Sequence, residues 1–402
     1  MPSSITPEPE PGAHLAAAPP PTVAPSIKGR GAADNPANRF ERMAYVPDPV
    51  DPNDPDGGGG DPDTAALNAD PTTAGAFEIS APRTELFRDH PRTILTTNDS
   101  PDIPFDVSIN PYRGCEHGCI YCYARPNHEH LGFSAGLDFE TKIMVKDTAP
   151  DLLRAALLKK SWQPQVIAMS GITDCYQPIE RKLRITRRCL EVFREFLNPV
   201  GIITKNHLVT RDRDLLAELA HHNAARVYIS ITSLDRDLTR TLEPRTSIPE
   251  RRLAAIRELT EAGVDVGVMV APVIPGLNDH EIPAILAAAA QAGASHAGYI
   301  AVRLPLAVAP LFEGWLDRHR PAAKQKILNR IRAMRGGNLN VPEFGARMRG
   351  EGAVADQIKA LFDLGVRKAG LTHKRAPLST AAFRRPLPAI GTPDEPPLPL
   401  FV

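Results

Sequence analysis

Cysteine is scarce in this chain, with five residues among 402. A secreted scaffold held by disulfides needs a higher density of cysteines, so we expect a protein of the reducing cytoplasm. Long apolar runs are also missing. No stretch after the first residues is typical of a signal peptide, and none reaches the roughly 20 residues that a membrane-spanning helix requires. These two absences predict a soluble protein with no membrane partner.

Net charge is absent too, because 47 basic side chains balance 47 acidic ones. The chain therefore lacks the strong positive charge that is typical of a dedicated nucleic-acid-binding domain. Residues 1–75 hold eleven acidic and four basic side chains, which leaves 36 acidic and 43 basic side chains in the remainder. The remainder is mildly basic, which fits a polyanionic substrate and equally an ordinary mixed surface.

Proline and glycine are abundant, with 41 and 28 residues, and they divide the chain. Residues 1–82 are rich in Pro, Gly, Ala and Asp without helical or strand periodicity, so we predict a disordered tail there. Within it, residues 27–43 (IKGRGAADNPANRFERM) fit either a motif that docks on the core or more linker. We place the folded core at 83–340, a helical extension at 341–372 and a second, proline-rich disordered tail at 373–402.

Between the tails, β-rich runs alternate with amphipathic helical patterns. The predicted strands are FDVSIN, QVIAMS, VGIIT, RVYISIT, VDVGVMVAPV and SHAGYIAVRL, which begin near residues 105, 165, 200, 226, 264 and 295. The predicted helices are DTAPDLLRAALLKK, ERKLRITRRCLEVFREFL, RDRDLLAELAHH, SIPERRLAAIRELTEAG and NDHEIPAILAAAAQAG. Six parallel strands with right-handed crossovers predict an α/β fold, a partial (β/α)6 TIM-like barrel, and we expect a monomer. In such barrels the chemistry lies at the carboxyl ends of the strands.

Three of the five cysteines lie within eight positions, in NPYRGCEHGCIYCYARP directly after the first predicted strand. Cys115, Cys119 and Cys122 therefore fall at the end of the barrel where catalysis is expected. A structural zinc site needs four ligands, and a fourth would have to come from the histidines nearby, which are His117, His128 and His130. An iron–sulfur cluster held by only three thiolates instead leaves one iron open to a small molecule.

The spacing C-x3-C-x2-C, with Tyr121 directly before the last cysteine and a βα barrel around it, resembles the signature of the radical SAM enzymes. The resemblance implies that the three cysteines hold a [4Fe–4S] cluster and that its open iron binds S-adenosylmethionine (SAM). It further implies reductive cleavage of SAM to a 5′-deoxyadenosyl radical, which takes a hydrogen atom from a substrate. The electron would come from a donor such as a flavodoxin or a ferredoxin.

The resemblance also assigns SAM contacts to the ends of the later strands. These expected contacts are Tyr121 beside the cluster, Ser170, Gly171, Thr173 and Asp174 for the methionyl amine, Thr204 and Lys205 for the carboxylate, Ser230 and Thr232 for the ribose, and Pro275 for the adenine. Each also fits an ordinary strand end or turn. Arg245 and Arg303 are cations that the barrel mouth could present to a carboxylate or phosphate, or that could form surface ion pairs.

Several longer stretches narrow the resemblance to the branch that contains spore photoproduct lyase, described as DNA repair photolyase-like. These stretches are TDCYQPIERKLRITRRCLEVF, ITKNHLVTRDRDLLAEL, SITSLD and VMVAPVIPGLND, and with their surroundings they cover residues 90–370. In spore photoproduct lyase a cysteine just before the Thr/Ser–Asp turn returns a hydrogen atom to the substrate radical, and Gly171 stands at that position here. Cys175, four positions on, is the candidate catalytic donor, whereas Cys189 is predicted to be a packing residue.

Three functions are compatible with these patterns. The first is a SAM-cleaving enzyme that acts on nucleic acid, as a lyase similar to spore photoproduct lyase. The second is the same radical chemistry on a protein or a small molecule. The third is a non-enzymatic scaffold whose iron–sulfur cluster senses redox state or binds RNA. Fold similarity alone does not transfer the substrate.

Overall fold

The structure is a computed structural model that describes residues 26–40, 82–373 and 376–386. Its ten strands, in chain order over these residues, are β1 (Glu85–Arg88), β2 (Thr96–Thr97), β3 (Val107–Ile109), β4 (Tyr112–Arg113), β5 (Lys142–Val145), β6 (Ile167–Met169), β7 (Val200–Thr204), β8 (Ala225–Ser230), β9 (Asp265–Val273) and β10 (His296–Ala301). Seven of them form one sheet in the order β10-β9-β8-β7-β6-β3-β2.

Six strands of this sheet run parallel in sequential order from β3 to β10, and β2 adds an antiparallel edge beside β3. All six coincide with the strands predicted from the sequence, which confirms the partial (β/α)6 barrel. β3 and β6 are buried along their whole length, as expected when both faces of a parallel sheet are covered. The carboxyl ends of these strands therefore meet at one edge of the sheet.

The helices that follow the strands cover the sheet. Over the part of the chain that the structure describes, the α-helices span Leu137–Thr141, Ala149–Leu158, Glu180–Leu183, Ile185–Phe196, Arg213–His221, Arg236–Leu242, Pro249–Glu261, Ile282–Gln291, Val308–His319, Lys324–Ala333, Ala346–Arg349 and Ala353–Ala369. The helix predicted over ERKLRITRRCLEVFREFL is two helices, because Arg184 has a left-handed backbone (φ 52°) that ends the first and begins the second.

A second, three-stranded sheet in the order β1-β5-β4 is not predicted by the sequence. β5 pairs in parallel with β1 and antiparallel with β4, and these strands have only two to four residues each. Strands this short leave too little alternation of apolar and polar residues to be read from a pattern. The sheet matters for the site because β4 leads directly into the cysteine loop, residues 114–124.

The carboxyl-terminal part packs on the barrel. The helix Ala353–Ala369 lies so close to the helix Ile282–Gln291 that a Cβ at Gly365 would be 2.7 Å from Leu286 Cδ1. Beyond it, Thr372 forms a β-bridge to His296 in β10. Residues 376–386 contact the opposite end of the sheet's helical layer, where the Arg384 amide donates to the Phe196 carbonyl at 2.9 Å.

Near the other end of the chain, residues 26–40 lie against the cysteine loop and bury Arg30, Gly31 and Ala32. We call residues 26–40 the arm. The rest of the predicted tails, and residues 41–43 of the predicted docking motif, lie outside the described residues. Where the structure describes the chain, it contains no helix that combines the length and apolar character needed to cross a membrane.

Candidate active site

The cysteine loop lies at the edge where the parallel strands end. β3 and then β4 lead into it, and the segments after β6, β7 and β8 contact it. The Glu116 amide donates to Gln177 Oε1 at 2.9 Å, after β6, and His117 Nε2 lies 3.2 Å from Asn206 Nδ2, after β7. The Arg245 amide donates to the His117 carbonyl at 3.3 Å, after β8. The loop therefore forms part of the catalytic edge of a βα barrel.

The three thiols of the loop are shielded from solvent. Cys115 and Cys119 are buried and Cys122 is half-buried. Burial raises the pKa of all three thiols, so the metal-free side chains are neutral at ordinary pH. Thiols of this kind are unreactive by themselves and become strong ligands when a metal replaces their protons.

The three histidines near the cysteines contact other side chains, and the buried Nε2 of His128 has no hydrogen-bond partner among the described residues. His117 Nδ1 lies 3.4 Å from Asp174 Oδ2, His128 packs between Phe133 and Phe139, and His130 stacks on Phe40 of the arm. Within residues 26–40, 82–373 and 376–386, no three His, Cys, Asp or Glu side chains stand close enough together to surround one metal ion.

A buried charge cluster lies beside the cysteines, and Glu243 is at its centre. One carboxylate oxygen accepts from Tyr121 Oη and from Thr232 Oγ1 (2.5 Å) and lies 3.0 Å from Lys205 Nζ. The other oxygen pairs with the Arg252 guanidinium. We call Tyr121, Lys205, Thr232, Glu243 and Arg252 the Glu243 cluster.

Both cations of the Glu243 cluster pair with its one carboxylate. Arg252 and Lys205 each lie against Glu243, and the nearby Asp174 carboxylate also interacts with Lys205. Lys205 Nζ also donates to the Ala271 carbonyl at 2.8 Å and to Thr232 Oγ1 at 2.9 Å, and it lies over the Tyr121 ring. Burial lowers the pKa of Lys205 to about 7 and raises the pKa of Glu243. A ligand carboxylate next to Lys205 would raise this lowered pKa and favour the ammonium form.

The predicted residue Asp174 is tied into the structure of its turn. Its carboxylate accepts from Thr204 Oγ1 at 2.8 Å, from the Lys205 amide at 2.9 Å and from the Tyr176 amide at 2.9 Å. Burial by itself would raise the pKa of Asp174, but His117 and these hydrogen bonds hold it below the usual value. Asp174 and Thr204 therefore link the ends of β6 and β7.

The other predicted residues are divided between two groups of contacts. Tyr121, Lys205 and Thr232 meet in the Glu243 cluster, whereas the residues after β6 bond to their own surroundings. These bonds are Ser170 Oγ accepting from the Cys175 amide (2.8 Å), the Gly171 carbonyl accepting from Tyr123 Oη (2.8 Å), and Thr173 Oγ1 donating to the Tyr112 carbonyl (2.8 Å). Ser230 and Pro275 are buried at the ends of β8 and β9.

The two cysteines outside the loop are both completely buried, with 0% of each exposed. Cys189 lies in the helix Ile185–Phe196 among Leu190, Phe193 and other core residues. Cys175 belongs to the same core cluster, and its backbone carbonyl accepts from Thr186 Oγ1 at 2.6 Å. Burial raises the pKa of both thiols. Cys175 therefore has the surroundings of a packing residue.

Two arginines follow β8 and β10. Arg245 pairs with Glu116 at 3.2 Å, so it supports the cysteine loop. The Arg303 guanidinium lies 4.3 Å from the centroid of the Tyr123 ring, and burial lowers its pKa. Tyr123 is the exposed residue next to Cys122. This pair places a cation at the mouth of the site.

Sequence reasoning missed Glu243 and Arg252. Glu243 follows a short helix in LEPRT and Arg252 lies within an amphipathic helix, so each looks like an ordinary surface charge in the sequence. The structure buries both almost completely. The only signal was the position of Glu243 in the segment after β8, where a barrel places functional residues.

Comparison with known proteins agrees with this geometry. Residues 109–289 match the family described as the Radical SAM superfamily. The uncharacterised protein Rv2578c of Mycobacterium tuberculosis (strain H37Rv) is 34% identical over 290 residues, which are 71% of this chain and 82% of the relative. The uncharacterised protein MJ0683 of Methanocaldococcus jannaschii is 31% identical over 173 residues, 43% of this chain and 62% of the relative.

Solved structures of spore photoproduct lyase have a similar fold. A mutant with bound AdoMet and dinucleoside spore photoproduct has a TM-score of 0.52 and 19% identity, and covers 72% of this chain and 81% of its own. The lyase complexed with dinucleoside spore photoproduct has a TM-score of 0.51 and 18% identity at the same coverage. Iron–sulfur and SAM chemistry are typical of the matched family. With the cysteine loop at the strand ends and the relationship to Rv2578c, the chain belongs to the radical SAM superfamily and is a radical SAM enzyme.

Proposed function

We propose that Cys115, Cys119 and Cys122 hold a [4Fe–4S] cluster and that the enzyme cleaves SAM to abstract a hydrogen atom from a substrate. The observation that carries this proposal is the set of three shielded thiols on one loop, with the buried amine of Lys205 beside it. Three thiolates without a fourth protein ligand suit a cluster with one open iron. When bound, the cluster supplies the electron that cleaves SAM; a flavodoxin or ferredoxin is the proposed donor.

The Glu243 cluster orients SAM in this proposal. Lys205 is held in place by Thr232 and the Ala271 carbonyl, so its ammonium can pair with the methionyl carboxylate without a further loss of side-chain entropy. Arg252 pairs with one oxygen of Glu243, and Glu243 in turn fixes the Tyr121 hydroxyl. A preorganised cation of this kind binds an anion more strongly in a buried site than it would in water.

The residues after β6, β8 and β9 complete the proposed SAM site. Asp174 is committed to His117 and Thr204, so its role is to hold the turn. The methionyl amine then donates hydrogen bonds to the remaining expected acceptors, which are Ser170, Gly171 and Thr173. Ser230 and Thr232 stand where we place the ribose, and Pro275 where we place the adenine. The buried surroundings of this edge keep water and stray hydrogen donors away from a radical.

We propose nucleic acid as the substrate class, in a reaction similar to that of spore photoproduct lyase. A groove of about 760 Å³ beside the segments after β6 and β7 supports this choice, since much of its lining is arginine: Arg181, Arg184, Arg187, Arg211, Arg213 and Arg251. Arg187 and Arg211 are engaged by Asp and Glu side chains, whereas Arg181 and Arg184 form no ion pair with any residue that the structure describes. Two guanidinium groups without ion pairs in one groove suit a phosphate backbone.

Anaerobic reconstitution with iron and sulfide tests the cluster. The wild-type protein should hold about four irons per chain, and SAM should change the electron paramagnetic resonance spectrum of the reduced protein. Cys119→Ala should lose the cluster. Cys189→Ala is the matched control, because it removes a buried thiol outside the loop, and it should keep all four irons. Stoichiometric zinc that survives oxygen, with no spectral response to SAM, would overturn the proposal.

Anaerobic incubation with SAM and dithionite, with and without DNA or RNA, tests the substrate class. We expect the nucleic acid to increase 5′-deoxyadenosine formation and to be altered itself. Arg184→Glu should weaken nucleic-acid binding and flatten its dependence on salt concentration. Lys359→Glu, on the carboxyl-terminal helix, is the charge-matched control and should bind as the wild type does. Binding equal for both variants and the wild type would contradict a role for the groove.

A further inference from the structure

We infer that the arm, residues 26–40, is a structural part of the cysteine loop, and that Glu140 is the positioning residue that connects the two. The arm is separated from the loop by more than 70 residues of sequence, yet three of its consecutive residues, 30–32, are buried against it. The expected effect of the arm on the iron–sulfur cluster rests on the proposed function. The contacts between the arm and the cysteine loop are independent of that proposal.

Glu140 is completely buried and receives hydrogen bonds from the arm and from the core. The Gly31 amide donates to Oε2 at 3.0 Å and the Ala32 amide donates to Oε1 at 2.9 Å. The Arg125 guanidinium donates to Oε1 at 2.5 Å. A buried carboxylate needs such partners, because an ionised group without them would carry a large desolvation cost. The arm supplies two of the three.

Arg125 connects Glu140 to Cys119 through hydrogen bonds. Its Nε donates to the Cys119 carbonyl at 3.0 Å, and its Nη1 donates to the Ala135 and Gly136 carbonyls at 3.1 and 2.9 Å. Arg125 is itself fully buried. A continuous set of charge-assisted hydrogen bonds therefore runs from the arm through Glu140 and Arg125 to Cys119.

Direct packing adds to these bonds. A Cβ at Gly31 would be 1.9 Å from the Gly118 carbonyl oxygen, so only glycine allows the arm this close to the loop. Gly118 has a left-handed backbone (φ 66°), and a Cβ there would be 2.7 Å from Glu140 Oε2. Ala32 packs in the same apolar cluster as Cys119 and Ile120. The two glycines are thus required by a close approach of two backbones.

A second connection reaches the residue after Cys115. Arg30 Nη1 donates to the Glu140 carbonyl at 2.9 Å, and Nη2 donates to the Pro82 carbonyl at 2.6 Å and lies 3.3 Å from Thr84 Oγ1. Thr84 Oγ1 donates to Glu116 Oε1 at 2.9 Å. The arm therefore holds the Cys115–Cys119 segment at both ends.

Loss of the arm would leave Glu140 with Arg125 alone and would open the Gly118 carbonyl to water. Water would compete for Arg125 and loosen its bond to Cys119, so the thiols would become more accessible. We expect arm variants to hold less cluster iron and to lose cluster absorbance in air about tenfold faster, because each variant removes at least one hydrogen bond that involves a charged group.

The test uses the full-length protein with Gly31→Val and Arg30→Ala. Gly31→Val forces the arm off the loop, and Arg30→Ala removes side-chain bonds at the edge of the contact, where misfolding is not expected. Lys28→Ala, an exposed arm residue, is the matched control. Circular dichroism of the metal-free proteins checks the fold. If Gly31→Val aggregates, Arg30→Ala decides by the same measurements.

Two measurements separate this inference from the cluster proposal. In the metal-free protein, alkylation of Cys119 relative to Cys189, followed by mass spectrometry, should be about tenfold faster in the arm variants. In the reconstituted protein, iron content and bleaching rate should change in the same variants. A wild-type protein without iron would overturn the cluster proposal. The alkylation ratio would still test whether the arm supports the cysteine loop. Alkylation ratios equal to those of the wild type and Lys28→Ala would overturn the inference.

Discussion

The substitution Cys175→Ala decides between a hydrogen donor and a packing residue. Cys175 is fully buried in the main core, and its backbone bonds to Ser170 and Thr186 do not depend on its side chain. Alanine keeps these bonds and removes one buried sulfur atom. We therefore expect a loss of stability without an effect on the reaction.

The magnitude follows from burial. A buried group of this size contributes about 0.8 kcal/mol by transfer out of water, and the small cavity left behind adds several tenths. The free energy of unfolding should thus fall by about 1 to 1.5 kcal/mol, and Tm by roughly 1.5 to 2.5 °C for a domain of this size. Urea unfolding of the metal-free protein, followed by circular dichroism, measures the first quantity.

The reaction products test whether Cys175 is only a packing residue. Cys175→Ala should cleave SAM and convert a true substrate to the same products as the wild type. Cys189→Ala, which removes an equally buried thiol from a helix, should show the same loss of stability and the same products. Cleavage of SAM with a stalled or diverted substrate radical in Cys175→Ala alone would refute the packing role.

Three further predictions follow from charged groups. Glu243→Gln leaves Arg252 without its buried partner and should cost about 3 kcal/mol or more in urea unfolding, against less than about 1 kcal/mol for a glutamate in an exposed ion pair. Lys205→Met should keep about four irons per chain and weaken SAM binding about tenfold or more in equilibrium titration, since a charge-assisted hydrogen bond is lost. Arg347 holds the pKa of Asp102 below 3.8, so the stability from this pair is complete above that pH and is lost as the pH falls through the lowered pKa. The protection of residues 344–349 against hydrogen exchange, relative to the intrinsic rate at each pH, should fall only in that acid range, and Asp102→Asn should lower it at neutral pH as well.

The sequence by itself determined the barrel and the position of the cysteines in it. Each of the six parallel strands is a compact run of β-branched and apolar residues between amphipathic helices, so local patterns are sufficient to find it. Cys115, Cys119 and Cys122 lie within one loop, so a local pattern is also sufficient to find them. The strand order then places Lys205 and Thr232 on the same edge as these cysteines, because parallel strands end on one side.

Only the tertiary structure decided which charges meet. Lys205 and Glu243 are 38 residues apart in the sequence and Gly31 and Glu140 are 109 apart, and no pattern within the separate segments predicts either pairing. Their pairing depends on burial, since a carboxylate removed from water must take whatever donors the fold brings to it. A pattern along the chain predicts which face of one strand or helix is buried. It does not predict the contact between the arm and the cysteine loop, because these two segments are far apart in the sequence.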